Sequence, residues 1–170
     1  MKSIYKTQCP QLHAIFEQAK SPEKVICVAV DYAKSKHVAL VCDGNGNILK
    51  QPFTVVNSLE GVAFLTQQID ATARRRKIPR KHIFIGGEDF ASYVENFLHC
   101  LKKLNFLILG VNALKAKQNR ENEIASNDQL ALLGIANALL SRRAQVYGDP
   151  GEDESDSIYL DIRNLSRSRH

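Results

Sequence analysis

The sequence predicts an α/β protein built on one mixed β-sheet with helices on both faces. Three strand-like segments follow a short N-terminal helix, and the hydrophobic pattern then alternates between helical and strand spacing. A strong hairpin signal, Gly44-Asn45-Gly46-Asn47, joins the second and third segments, so the first three strands should form an antiparallel meander. The later strands, separated by helices, should pair in parallel and make the sheet mixed.

The first half of the chain contains a short helix, which Pro10 can open, and the three strands of the meander. The first strand is a β-branched apolar run that ends on an acid, which is the pattern of a central strand buried on both faces. Pro52 lies in the third strand and favours an edge position or a bulge there. The predicted ranges are 10–20 for the helix and 24–32, 37–43 and 48–56 for the strands.

The second half alternates helices with strands. Asn57-Ser58 can cap the next helix, whose apolar residues keep helical spacing to about Arg76. Further helices are predicted at 92–104, 128–143 and 158–169, and strands at 82–86 and 106–111. Right-handed crossovers bring the fourth and fifth strands beside the first. The resulting five-stranded order, 3-2-1-4-5, is that of the RNase H-like fold.

Composition excludes several classes of protein. No apolar run approaches the ~20 residues of a membrane span, and residues 1–20 lack the apolar core of a signal peptide. The four scattered cysteines contain no Cys-x-x-Cys pair, which argues against a zinc knuckle, and Cys27 and Cys42 should be buried. We therefore expect a cytoplasmic protein. The predicted elements divide the chain into a helical extension at 1–22, an RNase H-like domain at 23–147, and an acidic loop with the start of a C-terminal helix at 148–170.

Positive charge is concentrated in clusters. The net charge is +5, although residues 149–156 alone contain five acids, so the rest of the chain is more basic than the total suggests. Any one cluster could be a solvated surface, but several together favour nucleic acid as the partner. We expect the first phosphate contacts at Lys115, Lys117 and Arg120, because they lie between the fifth strand and the last long helix. The other clusters lie at 74–77, 80–81, 142–143 and 163–169.

Three acids should converge at one edge of this sheet. Asp31 ends the first strand, Glu88 follows the fourth, and Asp128 opens the last long helix. Sites in such sheets form where the central strands end, and carboxylate oxygens are ligands that Mg²⁺ and Mn²⁺ prefer. A pair of these ions can activate water and stabilise the leaving oxygen in phosphodiester cleavage. Each acid also has a simpler interpretation: a turn contact for Asp31, a solvated loop for Glu88, and a helix cap for Asp128.

Four segments of the chain resemble the N-terminal domain of DEDD-type insertion-sequence transposases, which are related to the Piv/MooV DNA invertases. They are VAVDYAKSKHVALV (28–41), GNILKQPFTVVNSLEGVAFL (46–65), GGEDFASYVENFLHCLKKLNF (86–106) and SNDQLALLGIANALL (126–140). The resemblance implies a RuvC-like fold, Mg²⁺ or Mn²⁺ as cofactor, DNA as substrate and a homo-oligomeric full-length protein. Some members of the family are recombinases guided by a bridge RNA, which makes a guide RNA a further candidate partner.

The resemblance also assigns residues to the metal site. Asp31, Glu88 and Asp128 take the first three acidic positions, and the fourth, where the family has Asp, falls on Ala131. Alanine cannot bind a metal ion, so we expect an inactive or incomplete enzyme. A degenerate natural copy and a deliberate Asp→Ala change would both explain it, and the intact surrounding helix favours the second. Family members continue into a coiled coil and a domain that carries a strand-exchange serine, so we expect this chain to be a fragment.

Two other functions fit parts of the sequence. A non-catalytic nucleic-acid-binding domain would keep the basic surface and a degraded nuclease site. A small-molecule kinase of the actin-like ATPase class would also begin with an acid-tipped strand and a hairpin, as in residues 31–46. Such kinases usually need glycine-rich phosphate loops and a second similar domain. The sequence shows neither, so DNA cleavage and exchange is the favoured function.

Overall fold

The computed structural model describes residues 9–88, 92–111 and 128–147, without the side chains of Asp128 and Gln129. Four α-helices and six strands lie in these ranges. The helices are α1 (Pro10–Ala19), α2 (Leu59–Arg76), α3 (Glu95–Lys103) and α4 (Asp128–Leu140). The strands are β1 (Ile26–Asp31), β2 (Lys36–Asp43), β3 (Ile48–Val56), β4 (Ile83–Glu88), β5 (Leu107–Val111) and β6 (Ala144–Val146).

The strands form one mixed sheet in the order β3-β2-β1-β4-β5-β6. The meander β1-β2-β3 is antiparallel, β4 and β5 join it in parallel, and β6 closes the far edge antiparallel to β5. The predicted RNase H-like order is therefore confirmed, with one additional strand. Pro52 lies on β3, an edge strand, as expected for a residue that cannot donate a ladder hydrogen bond.

Successive side chains of a strand point to opposite faces of the sheet, so each face has its own hydrophobic core. On β1, Ile26, Val28 and Val30 pack with α2 and α3, whereas Cys27 and Ala29 pack with α1 and α4. Helices therefore cover both faces, as predicted. Cys27 and Cys42 face each other across β1 and β2 and are buried, also as predicted. Burial and a hydrogen bond with the Cys42 side chain raise the pKa of the Cys27 thiol, which therefore stays neutral.

Several element boundaries differ from the prediction by one to three residues. β4 continues to Glu88, so this acid is the last residue of the strand and does not follow it. The third helix begins at Glu95, after a 3₁₀ turn over Ser92–Val94. The last long helix ends at Leu140, because Arg142 adopts a left-handed conformation (φ 64°) that turns the chain into β6. The helix predicted at 158–169 lies outside the described residues.

In the part of the chain that the structure describes, no helix combines the length and the apolar character that crossing a bilayer requires.

Candidate metal centre

Asp31 and Glu88 end two neighbouring parallel strands. Val30 pairs with Gly87, so Asp31 and Glu88 follow in the next register position of β1 and β4. Adjacent strands lie about 4.8 Å apart, which makes the two residues direct neighbours along the edge. Both are half-buried, and Oε1 of Glu88 is shielded from solvent. The structure thus brings these two predicted acids together at the carboxyl edge of the sheet.

The strand pattern also sets the face on which the two acids stand. Residues alternate between faces along a strand, and Cys27 and Ala29 of β1 belong to the core that α4 covers. By the same alternation Asp31 lies on the α4 side. On β4, a Cβ added to Gly86 would come 2.4 Å from Leu139 of α4, and Glu88 lies two residues further on that face. We call this arrangement of Asp31 and Glu88 the acidic edge.

Helix α4 lies across the sheet on the same face as the acidic edge. It begins at Asp128 and packs mainly on β1, with further contacts to β2, β4 and β5. Ala131 is half-buried in its first turn, three residues after Asp128. Residues three apart lie on the same helix face, so positions 128 and 131 are neighbours on one face of α4. The side chain of Asp128 lies outside the described atoms.

Gly87 permits β1 and β4 to approach closely at this edge. A Cβ at position 87 would lie 2.3 Å from the carbonyl oxygen of Val30 and 2.5 Å from the ring of Tyr32. The Tyr32 ring therefore occupies the space beneath Gly87, on the sheet face opposite the two acids. Burial raises the pKa of the Tyr32 phenol, which keeps it neutral.

A buried aromatic cluster supports the loop that follows Asp31. His37 is fully buried, its ring 5.4 Å from that of Tyr32 and 4.5 Å from that of Phe97. Its Nδ1 accepts a hydrogen bond from the backbone N–H of Ala33 at 3.0 Å. Burial lowers the pKa of His37, against a smaller opposing effect of a hydrogen bond with Asn57. The neutral imidazole therefore holds the first turn after Asp31.

Asn57 connects the segments that follow the two acids. Its side-chain amide donates to the carbonyl of Lys34 at 3.0 Å and to the carbonyl of Tyr93 at 2.8 Å. Its backbone N–H donates to Ser35 at 2.9 Å. Lys34 and Ser35 lie just after Asp31, and Tyr93 lies five residues after Glu88. One side chain thus joins the two stretches of chain that leave the acidic edge.

Replacing Asn57 with Ala should lower the free energy of unfolding by about 1–3 kcal/mol, because two hydrogen bonds of about 0.5–1.5 kcal/mol each are lost. Urea denaturation measures this change. The matched control is Asn96→Ala, an exposed residue that lines the same hollow beside Asn57. Equal effects of the two substitutions would contradict the connecting role of Asn57.

Two parts of the predicted site extend beyond the described residues. In the described part of the chain, no group of three or more His, Cys, Asp or Glu side chains is placed to hold a metal ion. The third predicted ligand, Asp128, has no described side chain there. The predicted phosphate contacts Lys115, Lys117 and Arg120 also lie outside the described residues. They belong to the segment between Val111, the register partner of Glu88, and Asp128.

Sequence reasoning missed the supporting residues of the site. The sequence predicts Asn57 as part of a helix cap, but Ser58 caps α2 by accepting from the N–H of Gly61 at 3.1 Å. The predicted site does not include Tyr32 or His37. A histidine inside an otherwise apolar strand was the available signal for a buried polar cluster.

Comparison with known proteins gives one family and one group of structures. The transposase family DEDD_Tnp_IS110 matches residues 28–170, a range that includes Asp31, Glu88, Asp128 and Ala131. No curated protein is significantly similar to the chain in sequence. Thermus thermophilus RuvC in complex with a Holliday junction substrate is 14% identical, with a TM-score of 0.49 over 72% of this chain and 99% of that one. Another T. thermophilus RuvC structure is 15% identical, with a TM-score of 0.47 over 72% and 100%.

Proposed function

Because the chain belongs to the DEDD transposase family of the IS110 type, we propose that it is the nuclease-type domain of a DNA transposase. Its substrate in this proposal is the phosphodiester backbone of DNA. The observation that carries the proposal is the acidic edge, where Asp31 and Glu88 stand side by side on the sheet face that α4 covers. The longer protein would use this site in strand cleavage and exchange during transposition.

The residues of the acidic edge fit a divalent cation. Two carboxylates on one sheet face present hard oxygen donors, which Mg²⁺ and Mn²⁺ prefer to nitrogen and sulfur ligands. Asp31 and Glu88 would hold the ion, with Asp128 as a third ligand from α4. When bound, such ions lower the pKa of a water molecule and stabilise charge on the phosphate oxygens.

The protein's own groups position the donors. β1 and β4 fix the Cα positions of Asp31 and Glu88 through their ladder hydrogen bonds, and Gly87 keeps the strands in contact at that point. Asn57 and His37 hold the turns that follow. Side chains supported in this way lose little freedom when they bind a ligand, which favours a precise site.

Ala131 leaves this site short of one carboxylate. In this proposal the chain binds divalent ions weakly and is inactive or poorly active in cleavage. A phosphate of the substrate can supply part of the missing negative charge, so metal binding should depend on nucleic acid. We propose Lys115, Lys117 and Arg120 as phosphate contacts. In the sequence they lie between Val111, which pairs with Glu88, and the start of α4.

The Asp31→Asn and Glu88→Gln substitutions should each reduce the rise in melting temperature that Mg²⁺ or Mn²⁺ produces. A ligand that binds only the folded state stabilises it more the tighter it binds, with the logarithm of its concentration relative to Kd. In chelator, each variant should melt at the same temperature as the parent chain or higher, because one of two adjacent negative charges is removed. Thermal unfolding across a metal titration measures both effects.

The control for these variants is Glu23→Gln, an exposed acid at the opposite end of β1. Its metal-dependent shift should equal that of the parent chain. If the two site variants keep the full shift, the acidic edge does not bind the metal and the proposed function loses its main support.

A further inference from the structure

The amino ends of β1, β4 and β5 meet at the end of the sheet opposite the acidic edge. Two contacts tie the surrounding segments together: Nζ of Lys24 donates to the carbonyl of Arg76 at 3.2 Å, and Arg80 donates to the carbonyl of Leu104 at 2.8 Å. Basic residues from four parts of the chain gather here. We call this surface the basic end; its members are Lys24, Arg74, Arg75, Arg76, Lys77, Arg80, Lys81, Lys102 and Lys103.

The basic end carries a large excess of positive charge. All its members except Arg80 are exposed. Arg80 forms an ion pair with Asp70 at 2.7 Å, so the nearby acid Asp70 is already matched. Arg74 and Arg80 line a hollow of about 350 Å³ together with Asp70. Among the described residues, Glu23 is the other acid near these cations in the chain, so positive charge exceeds negative charge at this surface.

Helix stabilisation explains only part of this cluster. Arg74, Arg75 and Arg76 end α2, while Lys102 and Lys103 end α3, where cations favour the helix dipole. Lys77 is the C-cap residue of α2, and Lys24 donates to the carbonyl of Arg76 at the end of that helix, so both also stabilise its C-terminus. Lys81 lies outside both α-helices, and the convergence of two helix ends and the segment of Lys81 on one surface points to an external ligand with repeated negative charges.

We infer that the basic end binds the phosphodiester backbone of a nucleic-acid segment separate from the one held at the acidic edge. β1 has six residues, so the two ends of the sheet are about 17 Å apart. A duplex centred on the acidic edge therefore leaves the basic end free for another segment. The inference adds a second surface to the proposed function and does not depend on metal binding.

The test compares two variants of the full chain. Arg76→Gln with Lys81→Gln changes the basic end, and Lys50→Gln, in the middle of the sheet on the edge strand β3, is the control. Fluorescence anisotropy with a 20-base-pair DNA duplex and with an RNA duplex of the same length, in chelator and across a salt titration, gives affinity and its salt dependence. Melting temperatures of both variants confirm folding.

Neutralising two phosphate contacts should reduce the slope of log affinity against log salt by about 1.8 on duplex DNA, and weaken binding at 0.1 M salt at least about tenfold. The control variant should change much less. A loss with DNA, RNA or both supports the basic end and identifies the nucleic acid that it holds. Unchanged binding to both, or equal losses in the two variants, would overturn the inference, while the metal-dependent melting shift reports on the acidic edge independently.

Discussion

The Gly87→Ala substitution should lower the free energy of unfolding by at least about 3 kcal/mol, beyond the usual cost of overpacking. The added methyl would lie 2.3 Å from the backbone oxygen of Val30 and 2.5 Å from the Tyr32 ring. Backbone atoms cannot move aside as a side-chain tip can, so β1 and β4 must separate. Since these strands carry Asp31 and Glu88, the substitution should also abolish stabilisation by Mg²⁺ or Mn²⁺.

The neighbouring glycine provides the matched control. A methyl at Gly86 would meet mainly the end of the Leu139 side chain, at 2.4 Å, which can adopt another rotamer. Gly86→Ala should therefore cost less than Gly87→Ala and retain part of the metal response. Urea unfolding of both variants, with chelator and with metal, measures the difference. A mild effect at Gly87 would show that close contact of the strands is not what holds the two acids together.

The Ala131→Asp substitution should have the opposite effect on metal binding. In the proposed site, two divalent ions would bring four positive charges; three carboxylates would leave a surplus, which a fourth would neutralise. At a metal concentration 100-fold above Kd, binding adds about 2.7 kcal/mol of stability, so a gain in affinity appears as a larger melting shift. In chelator the same variant should be less stable than the parent chain, because four carboxylates repel one another.

An exposed position on the same helix controls for added charge. Asn137→Asp places a carboxylate on α4 six residues further on, where the side chain is exposed. Thermal unfolding across a Mg²⁺ or Mn²⁺ titration should give a parental shift for Asn137→Asp and a larger shift for Ala131→Asp. Identical shifts for all three proteins would place position 131 outside the metal site.

The sequence was sufficient to predict the order of the first five strands. Their signals are local: apolar β-branched runs, the turn at Gly44 to Asn47, and helices of regular spacing between the later strands. β6 was missed because three residues, Ala144–Val146, carry no periodicity. Its place is determined by pairing with β5, a contact between segments more than thirty residues apart.

The candidate site was predictable only in part, for the same physical reason. Asp31 and Glu88 could be placed because each ends or follows an apolar run. The role of Asn57 depends on contacts 23 and 36 residues away in the chain, which no local pattern reveals. The gathering of Lys24, Arg76 and Lys81 at one end of the sheet likewise follows from the topology, although each basic cluster is visible in the sequence.

The most direct test of the metal site is anomalous diffraction from crystals of the Ala131→Asp variant soaked in Mn²⁺. The account predicts an anomalous peak within metal–oxygen bonding distance of both the Asp31 and the Glu88 carboxylates, with Asp128 as a further ligand. Carboxylates of Asp31 and Glu88 more than roughly 10 Å apart, well beyond two metal–oxygen bonds, or Mn²⁺ bound elsewhere with the acidic edge empty, would contradict it.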